Sequence, residues 1–420
     1  MKKQHFGYRS KRELHIFLFC WMAYFSTYIG RLNFSAVIPE LQAEGIWTGT
    51  QIASVSSAFF VCYGIGQFLS GVLGDRANTR LMVFLGLFVS ALCNIFGFCF
   101  TTYPVFFCLW ALNGFVQSLV WTPILKIGSM HFDIDTVNKF GVDMSTTVPL
   151  GTLCSYGVSL LTLLFLPYRY VFLTCGLLET LAAFSWLFGT KCLLLQTSAD
   201  TKQEKSEPQG FQRASAKATL HAMAVSGVLL MMIPIIIQGT LKDSVTQWVP
   251  AFFSGQFGSA TTFSLALTML LPIINVTGAY FANALNHKLH NELATAAIFF
   301  GVSFVFLAVL KMWGANSMLL SLVCMATVTN CMFAINVLLI TLVPLHFTAF
   351  GRVSTIGGAL NAIAYIGCGI LNLAAGKLLE MENGWGNLFS LWILLAGIAV
   401  LCSALIYPLW KRFLKENRTY

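Results

Sequence analysis

Two permanent cations stand inside long apolar runs of this 420-residue chain. Arg31, in YFSTYIGRLNFSAVIPEL, lies ten residues before the end of its run at Leu41. Lys242, in IIIQGTLKDSVTQWVPAFF, lies ten residues before Phe252. At ~1.5 Å of rise per helical residue that distance is roughly 15 Å, half of a hydrocarbon layer ~30 Å thick. Both cations are therefore expected near a bilayer midplane, where a charge is tolerated chiefly when it faces a bundle interior or a wet cavity. Arginine presents a planar fork that matches phosphate or carboxylate oxygens in pairs, and lysine presents a mobile point charge. Two such cations at one depth read as a binding site for a small anion. Asp243 adjoins Lys242, but neighbouring helical positions point ~100° apart, so it is expected on a different face.

Other polar residues fall at interior depths. Tyr28 sits three residues before Arg31 on the same helical face, and Trp121, Lys126, Asn361 and Tyr365 join it as candidate substrate contacts. Tyr24, Tyr63 and Asn336 are further hydrogen-bond donors at such depths, for which helix packing is an equal reading. Lys126 and Asp143, near the ends of consecutive runs, are expected to pair. Glu179, in TCGLLETLAAF, and Asp143 are the acids that could couple transport to protons. No GxSxG elbow, P-loop or histidine-rich cluster is present, so neither an enzyme nor a cofactor or metal is expected. The twelve cysteines are scattered without CxxC spacing and read as small packing residues.

The elements that must position these groups follow from composition. The chain is 57% hydrophobic and 10% charged, against roughly 25% charged in soluble domains. Its polar and charged punctuation predicts twelve membrane-spanning helices near 14–41, 50–73, 79–100, 103–130, 140–166, 169–191, 218–252, 259–285, 292–312, 315–346, 351–380 and 386–412. Lys and Arg gather in the first tail, in DRANTR, HFDIDTVNK and NHKLHNE, and in the last tail, which predicts both termini on the cytoplasmic side. A polar stretch at 192–217 separates a six-helix half, 1–191, from a second, 218–420, and reads as a flexible cytoplasmic linker. The net charge of +9 lies in tails and loops and makes no basic face with interleaved aromatics, which argues against a nucleic-acid partner. An all-α membrane protein of two pseudo-symmetric bundles that rock about a midplane site is the expected fold, with the lipid bilayer as its surroundings.

GVLGDRANTR resembles the GxxxDRxxxR pattern of the major facilitator superfamily, in which an acid and basic residues latch the cytoplasmic side. The matching positions are Gly71, Asp75, Arg76 and Arg80. More narrowly, the chain resembles the organophosphate:inorganic phosphate antiporters, the group of glycerol-3-phosphate and hexose-6-phosphate carriers and related sensors. YIGRLNF is similar to that family's first-helix motif, and this puts Arg31 on its phosphate-binding arginine. NGFVQSLVWTPILKI resembles its fourth-helix signature at Gln117, Trp121, Pro123 and Lys126, and LKDSVTQWVPAF resembles its seventh-helix stretch, with Lys242 on the second phosphate-binding arginine. Two features depart from the pattern: lysine replaces that arginine, and Thr146 and Thr147 occupy the region where glycerol-3-phosphate carriers have a histidine.

The resemblance implies a monomeric carrier in the inner membrane that moves a small anionic metabolite by alternating access, most simply an organophosphate in exchange for phosphate. A proton-coupled symporter and a membrane-bound sugar-phosphate sensor are the alternatives.

Overall fold

The computed structural model describes residues 8, 10–73, 78–132, 134–200, 216–347 and 353–416. The described residues are helical almost throughout. The first seven helices are α1 (Lys11–Ala43), α2 (Gly49–Leu73), α3 (Thr79–Cys99), α4 (Tyr103–His131), α5 (Ile134–Ser145), α6 (Thr147–Phe165) and α7 (Arg169–Asp200). After residues 201–215 come α8 (Ala216–Val225), α9 (Val228–Phe257), α10 (Thr261–Thr268), α11 (Leu270–Leu289), α12 (Glu292–Trp313) and α13 (Met318–Asn336). A short α14 (Val343–Leu345), then α15 (Val353–Leu379) and α16 (Gly384–Glu416), complete the order.

Local chemistry sets many of these boundaries. Asn78 caps α3, its side-chain oxygen accepting the N–H groups of Arg80 at 3.0 Å and Leu81 at 3.2 Å. Thr48 and Gln51 form a reciprocal capping box at the start of α2: each backbone N–H bonds the other's side chain, at 3.0 and 3.2 Å. The single helix expected over 218–252 is broken at Gly227, whose φ of 82° ends the path of α8 before α9 begins. The run expected over 315–346 is also not uniform. Val337–Leu342 adopts π-helical winding, with the Val343 N–H reaching the Leu338 carbonyl. Pro344 follows directly and has no N–H to continue an ordinary ladder.

Eleven helical segments among the described residues are long and apolar enough to cross a membrane. The 33-residue α1 is not among them; it carries Arg31 and Asn33. The expected linker at 192–217 is helical up to Asp200 and again from Ala216, and residues 201–215 lie outside the described residues.

By contact, the chain forms two compact units, Met1–Phe34 with Gly66–Gln209, and Ser35–Ile65 with Gly210–Tyr420. The boundaries fall within α1 and α2, so Ser35–Ala43 of α1 and Gly49–Ile65 of α2 belong with the second unit. In the first unit α3 packs between α4 and α7, around buried Val83, Leu87, Val120 and Ile124. In the second, α9 lies against α13, α15 and α16, and α12 against α13 and α16. The α2 segment of that unit runs along α15. A Cβ placed on Gly369 would lie 2.9 Å from the Ser57 carbonyl, and one on Gly64 2.8 Å from that of Ala362. Such close approach of backbones is the packing that membrane helices achieve with small residues.

Candidate functional site

In the first unit, Arg31 is 92% buried on α1, because only 8% of its surface is exposed. Its guanidinium lies 5.6 Å from the centre of the Tyr28 ring, one turn earlier, a cation–π distance. Tyr28 meets Tyr24 edge to face at 5.7 Å, and Tyr24 packs on Trp121 of α4 at 4.4 Å. Four of the expected residues are thus brought into one tier: the cation, the two tyrosines of its own helix and the tryptophan of a neighbour. Lys126 lies further along α4 and is half-buried.

Behind Arg31 is a sealed polar cluster that its spacing alone did not reveal. The Gly30 carbonyl accepts the side-chain amides of Asn94 and Asn113, both at 3.0 Å. Asn33 donates to Asn94 at 2.6 Å, Ser90 donates to Asn113 at 2.6 Å, and Gln117 donates to Ser90 at 3.0 Å. Glu179, with no exposed surface, closes the cluster, its Oε2 accepting from Asn94 at 3.5 Å. Its Oε1 is buried without a hydrogen-bond partner. Gly30 is what admits the carboxyl, for a Cβ there would overlap Glu179 Oε2. The signal in the sequence is the four-residue spacing of Ser90 with Asn94 and of Asn113 with Gln117, which puts each polar pair on one face of an otherwise apolar helix.

In the second unit, Asp243, Tyr365 and Phe333 are among the groups around Lys242. Its Nζ lies 3.7 Å from Asp243 Oδ1, 5.5 Å from the centre of the Tyr365 ring and 5.9 Å from that of Phe333. Asp243 is expected on a different face from Lys242, yet its carboxylate lies within ion-pair distance of the lysine. Cα–Cβ bonds of neighbouring helical residues diverge, but a four-carbon lysine stem is long enough to bring its charge near the adjacent acid. Tyr365 of α15 in turn packs on Tyr63 of α2 at 4.6 Å. Asn361, one turn before Tyr365, is half-buried. Phe333 is a contact that no spacing rule pointed to.

Asp143 belongs to a different cluster. Its Oδ2 is 2.7 Å from Lys139 Nζ and accepts the Tyr8 hydroxyl at 2.9 Å, so its ion-pair partner is the lysine one turn back rather than the expected Lys126. Burial and the Asp143 carboxylate push the Tyr8 phenol well above its ordinary value. Arg80 donates to Thr190 at 3.2 Å and to the Leu187 carbonyl, both on α7. Gly71 lies in α2, and Asp75 and Arg76 lie outside the described residues.

The sequence profile of the Major Facilitator Superfamily matches residues 20–371. Among curated relatives, the membrane sensor protein UhpC of Salmonella typhimurium is 39% identical over 104 residues, 24% of this chain and 23% of that protein. The matched stretch thus spans about a quarter of that relative's length. The glycerol-3-phosphate transporter of Bacillus subtilis is 22% identical over 429 residues, covering 95% of this chain and 93% of that protein. The crystal structure of a D-xylose-proton symporter superposes with a TM-score of 0.70 at 16% identity, covering 94% of this chain and 97% of that one, a likeness of fold alone. With its profile match over most of its length and its helical architecture shared with solved transporters, this chain belongs to the major facilitator superfamily.

Proposed function

We propose that this protein is a secondary transporter of a small organophosphate, such as a sugar phosphate or glycerol phosphate, working by alternating access with inorganic phosphate as exchange partner. The carrying observation is that each compact unit holds a cation over a tyrosine ring, the buried Arg31 over Tyr28 and the partly buried Lys242 over Tyr365. These are the two positions that the phosphate-carrier motifs assign to the anion. The full-length likeness to a glycerol-3-phosphate transporter supports the same ligand class. Arg31 and Lys242 bind the phosphate oxygens, with Tyr28, Trp121, Lys126, Asn361 and Tyr365 as further contacts. Gly71, Asp75, Arg76 and Arg80 form the cytoplasmic latch.

The same reading makes α1 the twelfth span, divides the chain at 192–217 into halves 1–191 and 218–420, and puts both termini in the cytoplasm of a bacterial cell, with the monomer in the inner membrane. Counterflow in proteoliposomes, with a panel of phosphate, glycerol-3-phosphate, hexose phosphates and carboxylates, tests it. Loss of charge-assisted hydrogen bonds is expected to lower counterflow and affinity about ten- to hundredfold in Arg31→Ala. An Arg31→Ala protein that binds the best phosphate as tightly as wild type would overturn the assignment.

Two observations favour second readings. The partial match to a sensor protein supports sensing, which predicts phosphate binding without flux. The sealed Glu179 carboxyl, with one oxygen unpartnered, supports proton coupling, which predicts uptake driven by a pH gradient alone.

A further inference from the structure

A carrier limited to exchange returns empty with difficulty, because cations that the ligand neutralised must then cross the closed state uncompensated. The second unit does not leave its cation in that condition. Lys242 Nζ stands 3.7 Å from Asp243 Oδ1, and the two side chains are 15% and 16% exposed. At the effective dielectric of ~20 that suits such sites, opposite charges this close attract strongly. Among the described residues nothing hydrogen-bonds the Asp243 carboxylate: its Oδ2 is buried without a partner, as is Nε2 of Gln247 one turn later on the same helix. The carboxylate is therefore not tied into a scaffold as Asp143 is. Lys242, a point charge with three rotatable donors, can leave it for a phosphate oxygen and come back without moving the backbone.

We propose that Asp243 is an internal counter-ion, which takes the place of the ligand's charge on Lys242 whenever the site is empty. The inference rests on the organophosphate reading above. Its consequence is that the empty protein reorients, so that transport runs as net flux as well as exchange.

Proteoliposomes loaded with labelled phosphate, glycerol-3-phosphate or a hexose phosphate, with the membrane potential clamped, separate the two modes. Efflux into ligand-free medium measures return of the empty carrier; efflux into medium containing the same ligand measures exchange. Wild type is expected to show net efflux within about tenfold of its exchange rate. Asp243→Asn, which removes this counter-ion, is expected to lower the ratio of net efflux to exchange at least ~10-fold, and Asp243→Glu to restore it. Being a ratio within one preparation, this readout is not moved by a general loss of folded protein. Where Asp243→Asn does not fold, the ratios of wild type and Asp243→Glu decide. Robust wild-type exchange with no net efflux, or an Asn variant with the wild-type ratio, overturns the proposal. Absence of wild-type exchange with any of these phosphates overturns the functional reading instead.

Discussion

Gly30 and Glu179 illustrate how one atom decides a site. The carboxyl occupies the space that any side chain at position 30 would need, and the Gly30 carbonyl beside it is held by two asparagines. Gly30→Ala must push either the acid or α1 aside. Overpacking of this kind costs about 1–3 kcal/mol, so a lower Tm is expected in a thermal melt of the detergent-solubilised protein. Because Arg31 is the next residue, weaker phosphate binding should accompany it. Glu179→Gln preserves shape and an acceptor for Asn94 and is expected to melt near wild type. Glu179→Leu removes that acceptor but leaves the Asn94 amide bonded to the Gly30 and Ser90 carbonyls, so it should destabilise by only about 0.5–1.5 kcal/mol. A proton role for Glu179 would show as loss of pH-gradient-driven uptake in Glu179→Gln with binding retained.

At the scale of elements, the seam between α2 and α15 carries its own pH response. Glu380, just past the end of α15, accepts the Thr50 N–H at 2.6 Å and the Thr50 hydroxyl at 2.8 Å, adding a second cap to the start of α2. Hydrogen bonds from the Thr50 backbone and from Thr48 hold this carboxyl below its ordinary value. A depressed folded-state value means that the stabilisation is fully present above the unfolded value, ~4.3, and is lost as pH falls through the lower folded one. The Tm difference between wild type and Glu380→Gln is therefore expected at pH 7 and should shrink as the pH falls below ~4.3. Solvent exposure keeps the effect below ~1 kcal/mol. A difference that grows in acid would contradict the cap. The π-helical stretch before Pro344 is a second element-level feature. Hydrophobic periodicity does not distinguish π from α winding over so few residues, and the proline shows only where the ordinary ladder must fail.

For the whole molecule, an even number of spans requires α1 to cross with Arg31 and Asn33 in its interior. Epitope tags inserted in the 44–48 loop are expected to be reached by antibody in intact spheroplasts, and tags at 286–291 only after permeabilisation. The reverse pattern would invert the proposed topology. How much of this was readable beforehand depends on the kind of interaction. Composition and spacing alone established a helical membrane protein and the two cations, and the resemblance of its motifs pointed to the superfamily. Membrane insertion selects ~20-residue apolar runs one at a time, so the information is local to each run. The Arg31 tier with Tyr28 was readable for the same reason, as one turn of a single helix. The Asp143–Lys139 pair, four residues apart on α5, is of the same local kind. Only the tertiary structure decided that Lys242 turns back to Asp243 and that Glu179 is sealed among asparagines. Those outcomes depend on which helices touch and on the reach of flexible side chains within them, and neither is set by the spacing of residues along the chain.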